Sequence, residues 1–522
     1  MNPSAMNSSA MRPARPVAGG VVAAVDLGAT SGRVVLGHVD RDSVRLQHVA
    51  RFANEPVTLP EGRPVGQGTS AGGAGRVGLH WDVTGLWRSV TAGLAQALRD
   101  EPGTASVGVD SWAVDYGLLR DGRLLGAPYH YRDERSAAGV EAVHAVVAPA
   151  ALFARTGLQH LPFNTVFQLA ADRAAGVLEP ADRALLVPDL VSWWLTGTAV
   201  TERTNASTTG LLSPVTGEWD VELLGRLGLA TDLFAPLVDP GASLGALLPS
   251  VAAAIGAPAS LGVTAVGSHD TASAVVAVPL AGDDAAYVSS GTWSLVGLEL
   301  PSPLLGDEVR AAGFTNEGGV DGRVRFLKNV SGLWLLSESM RAWSRSGTSA
   351  AERSSDLAAL LAEAAAVTRP VPVFDATDTR FTPPGDMPAR IETWCVEHDV
   401  APPRGRAETV RSILESLAAA YAATLRDAER LSGRTVRTVH VVGGGSQNEL
   451  LCQLTADRTG RTVLAGPVEA TALGNVLVQA RAAGLVDRSS SLESLRALVA
   501  ASSAPVTYRP RSGASSAAAR AS

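Results

Sequence analysis

Asp26-Leu27-Gly28-Ala29-Thr30-Ser31-Gly32-Arg33 is a glycine- and hydroxyl-rich turn between two β-rich runs, residues 21–25 and 34–39. Far downstream, Ser289-Ser290-Gly291-Thr292-Trp293-Ser294 stands between residues 285–288 and 295–300 in the same way. Each reads strand, small-residue turn, strand. Such turns expose successive backbone N–H groups and hydroxyls that can cradle phosphate oxygens. Glycine lets a ligand approach the backbone closely. A single turn of this kind is an ordinary hairpin feature. Two of one design, in two halves of a long chain, suggest a duplicated domain closing on a polyphosphate.

Around these turns, strand and helix patterns alternate throughout, which predicts α/β layers. Residues 86–98 and 408–430 carry helical spacing; in the second, Val410, Ile413, Leu414, Leu417, Tyr421 and Leu425 share one face. Residues 106–110 and 116–119 read as strands, and residues 139–256 as mostly helical. Residues 61–78 are glycine-rich without apolar periodicity and read as a loop. The strand 436–442 runs into Gly443-Gly444-Gly445, which is expected to open the helix 449–458 and to aim its N–H groups at a ligand. A domain boundary is expected at residues 279–284.

Composition narrows the function. A chain of 522 residues with 46% hydrophobic content can build several cores. The net charge of −7 argues against a nucleic-acid binder. Residues 1–20 lack the continuous apolar segment of a signal peptide and read as a disordered leader. No run of about 20 apolar residues suggests a membrane span. Two cysteines, Cys395 and Cys452, cannot form a disulfide framework and fit a reducing cytoplasm.

The candidate chemistry gathers near the turns. Asp26, beside the first, can hold Mg²⁺ through water or brace its own turn. Asp270, after the apolar run 263–267, suits a general base, since a carboxylate is ionised at neutral pH; it also suits a helix start. His269 beside it has no partners at zinc-like spacing. The segment Asp110-Ser111-Trp112-Ala113-Val114-Asp115-Tyr116 has the character of a sugar site, or of a strand end with a buried Trp. The same two readings hold for Phe163-Asn164-Thr165 and Lys328-Asn329. No G-x-x-x-x-G-K-[ST] motif occurs, which disfavours a Walker-type NTPase.

Together these segments resemble the FGGY carbohydrate kinases, and within them the members acting on L-rhamnulose. The matching strings are 24–36 (AVDLGATSGRVVL), 108–118 (GVDSWAVDYGL), 161–169 (LPFNTVFQL), 204–209 (TNASTT), 268–275 (SHDTASAV), 287–297 (YVSSGTWSLVG), 316–336 (NEGGVDGRVRFLKNVSGLWLL), 441–448 (VVGGGSQN) and 465–475 (AGPVEATALGN). The resemblance implies an α/β fold of two ribonuclease H-like domains of the actin/Hsp70 kind, with the active site in the cleft between them. It places an N-terminal domain at 21–280, a C-terminal domain at 281–485, and an extension with a low-complexity tail at 486–522. The implied reaction is transfer of the ATP γ-phosphate to the 1-hydroxyl of L-rhamnulose, with Mg²⁺, in L-rhamnose catabolism. Asp270 is then the base. Ala113, His269, Thr271 and Asn329 contact the ketose. Ala29, Thr30, Ser31, Gly32, Arg33, Thr292, Ser337 and Gly444 bind ATP. The partners are ATP and a ketose, without nucleic acid or membrane, and a cytoplasmic monomer is expected. Two departures stand out: the family commonly has Gly at Ala113 and a longer amide at Ser337. Another ketose, such as L-fuculose, L-xylulose or L-ribulose, and a non-catalytic sugar-binding regulator are the competing readings.

Overall fold

The structure, a computed structural model, describes residues 19–60, 77–344 and 350–511. The stretch containing Asp26 is the end of a central strand, Gly20–Leu27 (β1), joined by the first turn to Ser31–Val39 (β2). Five apolar residues of β1, Val22 to Val25 and Leu27, are fully buried. That is the signature of a strand covered on both faces. Val44–Ala53 (β3), Ser106–Ser111 (β4), Ser243–Ala246 (β5) and Gly262–Thr264 (β6) complete a six-stranded sheet in the order β5-β6-β4-β1-β2-β3. In it β1, β2 and β3 are antiparallel neighbours, while β4 runs parallel to both β1 and β6.

The second half repeats this plan. Ala285–Ser290 (β7) and Trp293–Leu300 (β8) form the second hairpin, joined by Thr315–Gly318 (β9), Val324–Ser331 (β10), Thr438–Val442 (β11), Thr462–Ala465 (β12) and Val506–Tyr508 (β13). The order is β9-β10-β8-β7-β11-β12-β13. Again three antiparallel strands, β10, β8 and β7, adjoin two parallel ones, β11 and β12. The duplication read from two turns is thus a duplication of whole sheets.

Helices cover the sheets as their apolar stripes dictate. Val83–Asp100 (α1) buries Leu86, Val90, Leu94 and Ala97, and Asp82 caps it by accepting from Gly85 N at 2.8 Å. The short helix Asp270–Val276 (α2) follows β6. The long helix Gly405–Ser432 (α3) buries all six apolar positions expected of it and ends at Gly433. Ala470–Ala483 (α5), after the helix Glu449–Thr459 (α4), crosses back to the first sheet. There Gln479 Nε2 donates to Ala23 O at 3.0 Å and Asn475 Nδ2 to Asp110 Oδ2 at 2.5 Å. One apolar core therefore combines Val22, Ala24 and Val35 with Tyr287, Leu295 and Val476.

Two expectations change. The glycine turn does not open α4 directly. A 3₁₀ turn, Gly444–Gln447, intervenes, and the helix N-terminus is taken by the Asn448 side chain, which accepts from Leu451 N at 3.0 Å. The extension from residue 486 onward packs against the rest of the chain. Its helix Leu492–Ser502 (α6) buries Leu492, Leu495 and Val499, Arg496 bridges Glu299, and β13 adds to the second sheet. Of the expected loop 61–78, residues 61–76 lie outside the described residues, while Val77 and Gly78 open the strand Val77–Trp81. Most of the expected leader and tail, residues 1–18 and 512–522, also lies outside them.

Candidate active site

In open α/β sheets, ligands bind beyond the carboxyl ends of the parallel strands. Here those ends face a cavity of about 420 Å³ lined from both halves of the chain. β1 and β4 are paired in register at Asp26 and Asp110, and Ser111 is bridged to His269, so Asp26, Asp110 and the segment before α2 lie side by side. From the other half, Ser289 to Thr292 and Gly443 to Gly444 close on the same space.

The first turn supplies Gly28, Ala29, Thr30, Ser31 and Arg33 to the cavity lining. Gly32 is not among them. A Cβ there would stand 2.2 Å from Phe52 Cε2, so this glycine serves packing beneath the turn. Arg33 is engaged within the protein: it pairs with Asp26 Oδ2 at 2.7 Å and with Glu469 Oε2 at 3.0 Å. Burial pushes the Asp26 carboxyl up to about 6, against the opposing charge of Arg33. Asp110 is wholly buried and does not line the cavity; burial, then Asp26, raises it well above the ordinary carboxylate range. Its Oδ1 has no hydrogen-bond partner among the described residues.

Asp270 begins α2, with His269 in the cap position. Its side chain is 31% exposed, and its Oδ1 meets Thr271 Oγ1 at 3.1 Å and His269 Nε2 at 3.4 Å. No lysine or arginine pairs with it among the described residues. The segment is pinned from below by buried Glu202, which accepts from Ser268 N at 2.9 Å and Ser268 Oγ at 2.8 Å. His269 Nδ1 accepts from Arg325 Nη2 at 3.0 Å. Beside it, burial works to raise Glu317, but Arg325 and His269 hold it below the ordinary carboxylate range.

Ala113 reaches the cavity through a strained turn. Asp115 N donates to Ala113 O at 2.9 Å around Val114, whose φ is 69°. A β-branched residue is rarely found at positive φ, and such strain collects at functional sites. Asp115 itself does not face the cavity. It accepts from Trp81 Nε1 (2.6 Å), Gln168 Nε2 (2.8 Å), Trp112 Nε1 (3.0 Å) and Tyr131 N (3.1 Å), and burial raises it to about 6. Tyr116 turns away to Asp172. Of that sugar-like segment, Trp112, Ala113 and Val114 line the cavity, as do Phe163 and Asn164.

Thr271, Thr292, Asn329 and Gly444 also line it, as expected. Ser337 does not: it lies exposed on the helix Trp334–Trp343. Gln159, Glu317, Gln447 and Glu469 line the cavity without having been singled out. Glu317, Gln447 and Glu469 fall inside the quoted motif strings. Gln159 lies just ahead of one and carries no local signal, yet its Oε1 accepts from Asn329 N at 2.9 Å, joining the two halves.

Among the described residues no cluster of three metal-ligating side chains occurs. Four carboxylates line the cavity, Asp26, Asp270, Glu317 and Glu469; Asp26, beside the first turn, fits a Mg²⁺ that draws most of its oxygens from water and phosphate. No single described helix is long and apolar enough to cross a membrane.

Residues 74–277 match the N-terminal domain, and residues 286–483 the C-terminal domain, of the FGGY family of carbohydrate kinases. The chain is 39% identical over 491 residues to a rhamnulokinase from Bacteroides thetaiotaomicron, covering 94% of this chain and 95% of that protein. It is 42% identical over 473 residues to a rhamnulokinase from Pectobacterium carotovorum, covering 89% and 88%. In fold it is similar to a gluconate kinase from Lactobacillus acidophilus, with a TM-score of 0.72, 15% identity and 96% of each chain covered. A ligand-bound xylulose kinase from the same organism gives a TM-score of 0.71 at 16% identity, again over 96% of each chain. A repeated sheet, a cavity lined by both of its hairpin turns and these likenesses lead to one conclusion: the chain belongs to the FGGY family of carbohydrate kinases.

Proposed function

We propose that this kinase transfers the γ-phosphoryl group of ATP to the 1-hydroxyl of L-rhamnulose, giving L-rhamnulose 1-phosphate and ADP. The observation that carries the proposal is Asp270: a carboxylate paired with no lysine or arginine among the described residues, in a cavity lined by both glycine-hydroxyl turns. The rhamnulokinases at about 40% identity over nearly the whole chain support the sugar.

Phosphoryl transfer demands alignment and charge stabilisation more than covalent help. In this reading, backbone N–H groups and hydroxyls of Ala29 to Ser31 and of Thr292 hold the phosphates, and Gly444 lets the adenosine lie against the backbone. Ala113, His269, Thr271 and Asn329 orient the ketose. Asp270 takes the hydroxyl proton as the oxygen–phosphorus bond forms, a contribution of about 10²–10⁴-fold. With Arg33 on its Oδ2, Asp26 would hold a water of Mg²⁺ through Oδ1, and the ion would neutralise phosphate charge. The cleft residues from both halves keep water from the phosphoryl group.

A coupled ADP-release assay over a ketose panel tests the proposal. L-rhamnulose should give the highest kcat/KM, ahead of L-fuculose, L-xylulose and L-ribulose. Asp270→Asn should retain binding of ATP and sugar and lose turnover by about 10²–10⁴-fold. A clear preference for another ketose sinks the substrate assignment; near-normal turnover in Asp270→Asn sinks the base.

A further inference from the structure

His269 stands at the seam between the two sheets. Its backbone belongs to the first half, and its ring is met from the second half by β9 and β10. Arg325, on β10, is wholly buried and does not line the cavity. Its Nη2 donates to His269 Nδ1 at 3.0 Å. A guanidinium has donors only and stays charged, so this bond requires a lone pair on Nδ1. The neutral ring then carries its proton on Nε2, which lies 3.4 Å from Asp270 Oδ1.

Arg325 is itself held in place. Its Nε donates to Gly318 O at 2.9 Å, and its Nη1 lies 3.1 Å from Glu317 Oε2. Glu317 Oε2 is also 3.4 Å from His269 Nδ1. Without Arg325, the natural response of the ring is to place its proton on Nδ1 and donate to Glu317. With Arg325 present, that hydrogen would point at another donor. The charged groups around His269 are thus Asp270, Glu317 and Arg325; its backbone N–H faces Thr204 Oγ1 at 3.4 Å.

We infer that Arg325 is a positioning residue that holds His269 as its Nε2–H tautomer, so that His269 and Thr271 both address Asp270 Oδ1 and leave Oδ2 to receive the sugar proton. The inference rests on the reading of Asp270 as the base. It assigns to the second half of the chain a part in setting up the base of the first. A residue with no access to substrate acts on the reaction through the groups it holds in place, here the His269 ring.

The test is spectroscopic and kinetic. In the full-length enzyme labelled with ¹⁵N-histidine, long-range ¹H–¹⁵N correlations distinguish the tautomers, with His269 assigned by its absence from His269→Gln. The wild-type ring should be protonated at Nε2. In Arg325→Met it should shift to Nδ1–H, with kcat/KM for L-rhamnulose reduced about 10- to 100-fold and KM for ATP within about twofold. Arg325→Lys, which keeps a donor, should retain the Nε2–H form and recover most of the lost kcat/KM; it carries the test if the Met variant does not fold. An Nδ1–H ring in the wild type overturns the inference. So does Arg325→Met, or the Lys variant in its place, losing activity with the expected tautomer relation absent. Retained turnover in Asp270→Asn would instead defeat the base assignment, leaving the tautomer measurement to stand by itself.

Discussion

Gly474→Ala adds one methyl group where α5 crosses α2, and the geometry sets what it must do. A Cβ at Gly474 would lie 1.8 Å from the carbonyl oxygen of Ser273, and 2.5 Å from its carbonyl carbon. Ordinary contact begins at 3.4 Å, so the helices must separate by about 1.6 Å. The obstructing atoms are backbone, so no rotamer change relieves the clash. α2 begins at Asp270, one turn before Ser273, and therefore moves with it. A displacement of about 1 Å in a reacting group costs on the order of 10²-fold in rate. Overpacking costs about 1–3 kcal/mol, and the better helix propensity of Ala returns about 1 kcal/mol. The variant should therefore unfold at a lower temperature than wild type, and where it remains folded kcat should fall about 100-fold in the coupled ADP-release assay with L-rhamnulose. Turnover within twofold of wild type would refute the claim that this glycine sets the position of Asp270.

Two other outcomes follow from the site. Burial raises Asp26 from 3.8 to about 6, so between those values the folded protein binds the extra proton and its stability falls as pH rises. Asp26→Asn removes that slope: by urea unfolding, its stability relative to wild type should improve by about 2 kcal/mol from pH 4 to pH 6, and parallel profiles would count against a buried, protonatable Asp26. Ala113→Val enlarges the methyl group that faces the cavity; KM for the ketose should rise at least about 10-fold while KM for ATP stays within twofold, and an equal rise in both would move Ala113 away from the sugar.

The residue pattern alone disclosed the duplicated hairpins, the α/β layering, α3 with its whole apolar face, and the strings that hold most cavity residues. These are local properties: strand alternation, helical spacing and turn composition act within a few residues of sequence. Position and charge pointed to Asp270, and the resemblance of the strings to the FGGY kinases implied His269, Thr271, Asn329 and Ala113; all of these line one cavity. What only the assembled molecule decided is which polar groups spend their bonding within the protein. Asp115 reads as a sugar-binding carboxylate, but four donors from distant segments converge on it. Gly32 reads as a phosphate contact, but Phe52 occupies the space beneath it. Ser337 sits beside a matched string, yet its place on the helix turns it to solvent. Arg325 sits inside a matched string without being singled out, and reaches His269 only because β10 of one sheet is set against the start of α2 from the other. Local sequence encodes which elements form; side chains separated by tens or hundreds of residues compete for the same donors and the same space only once those elements pack.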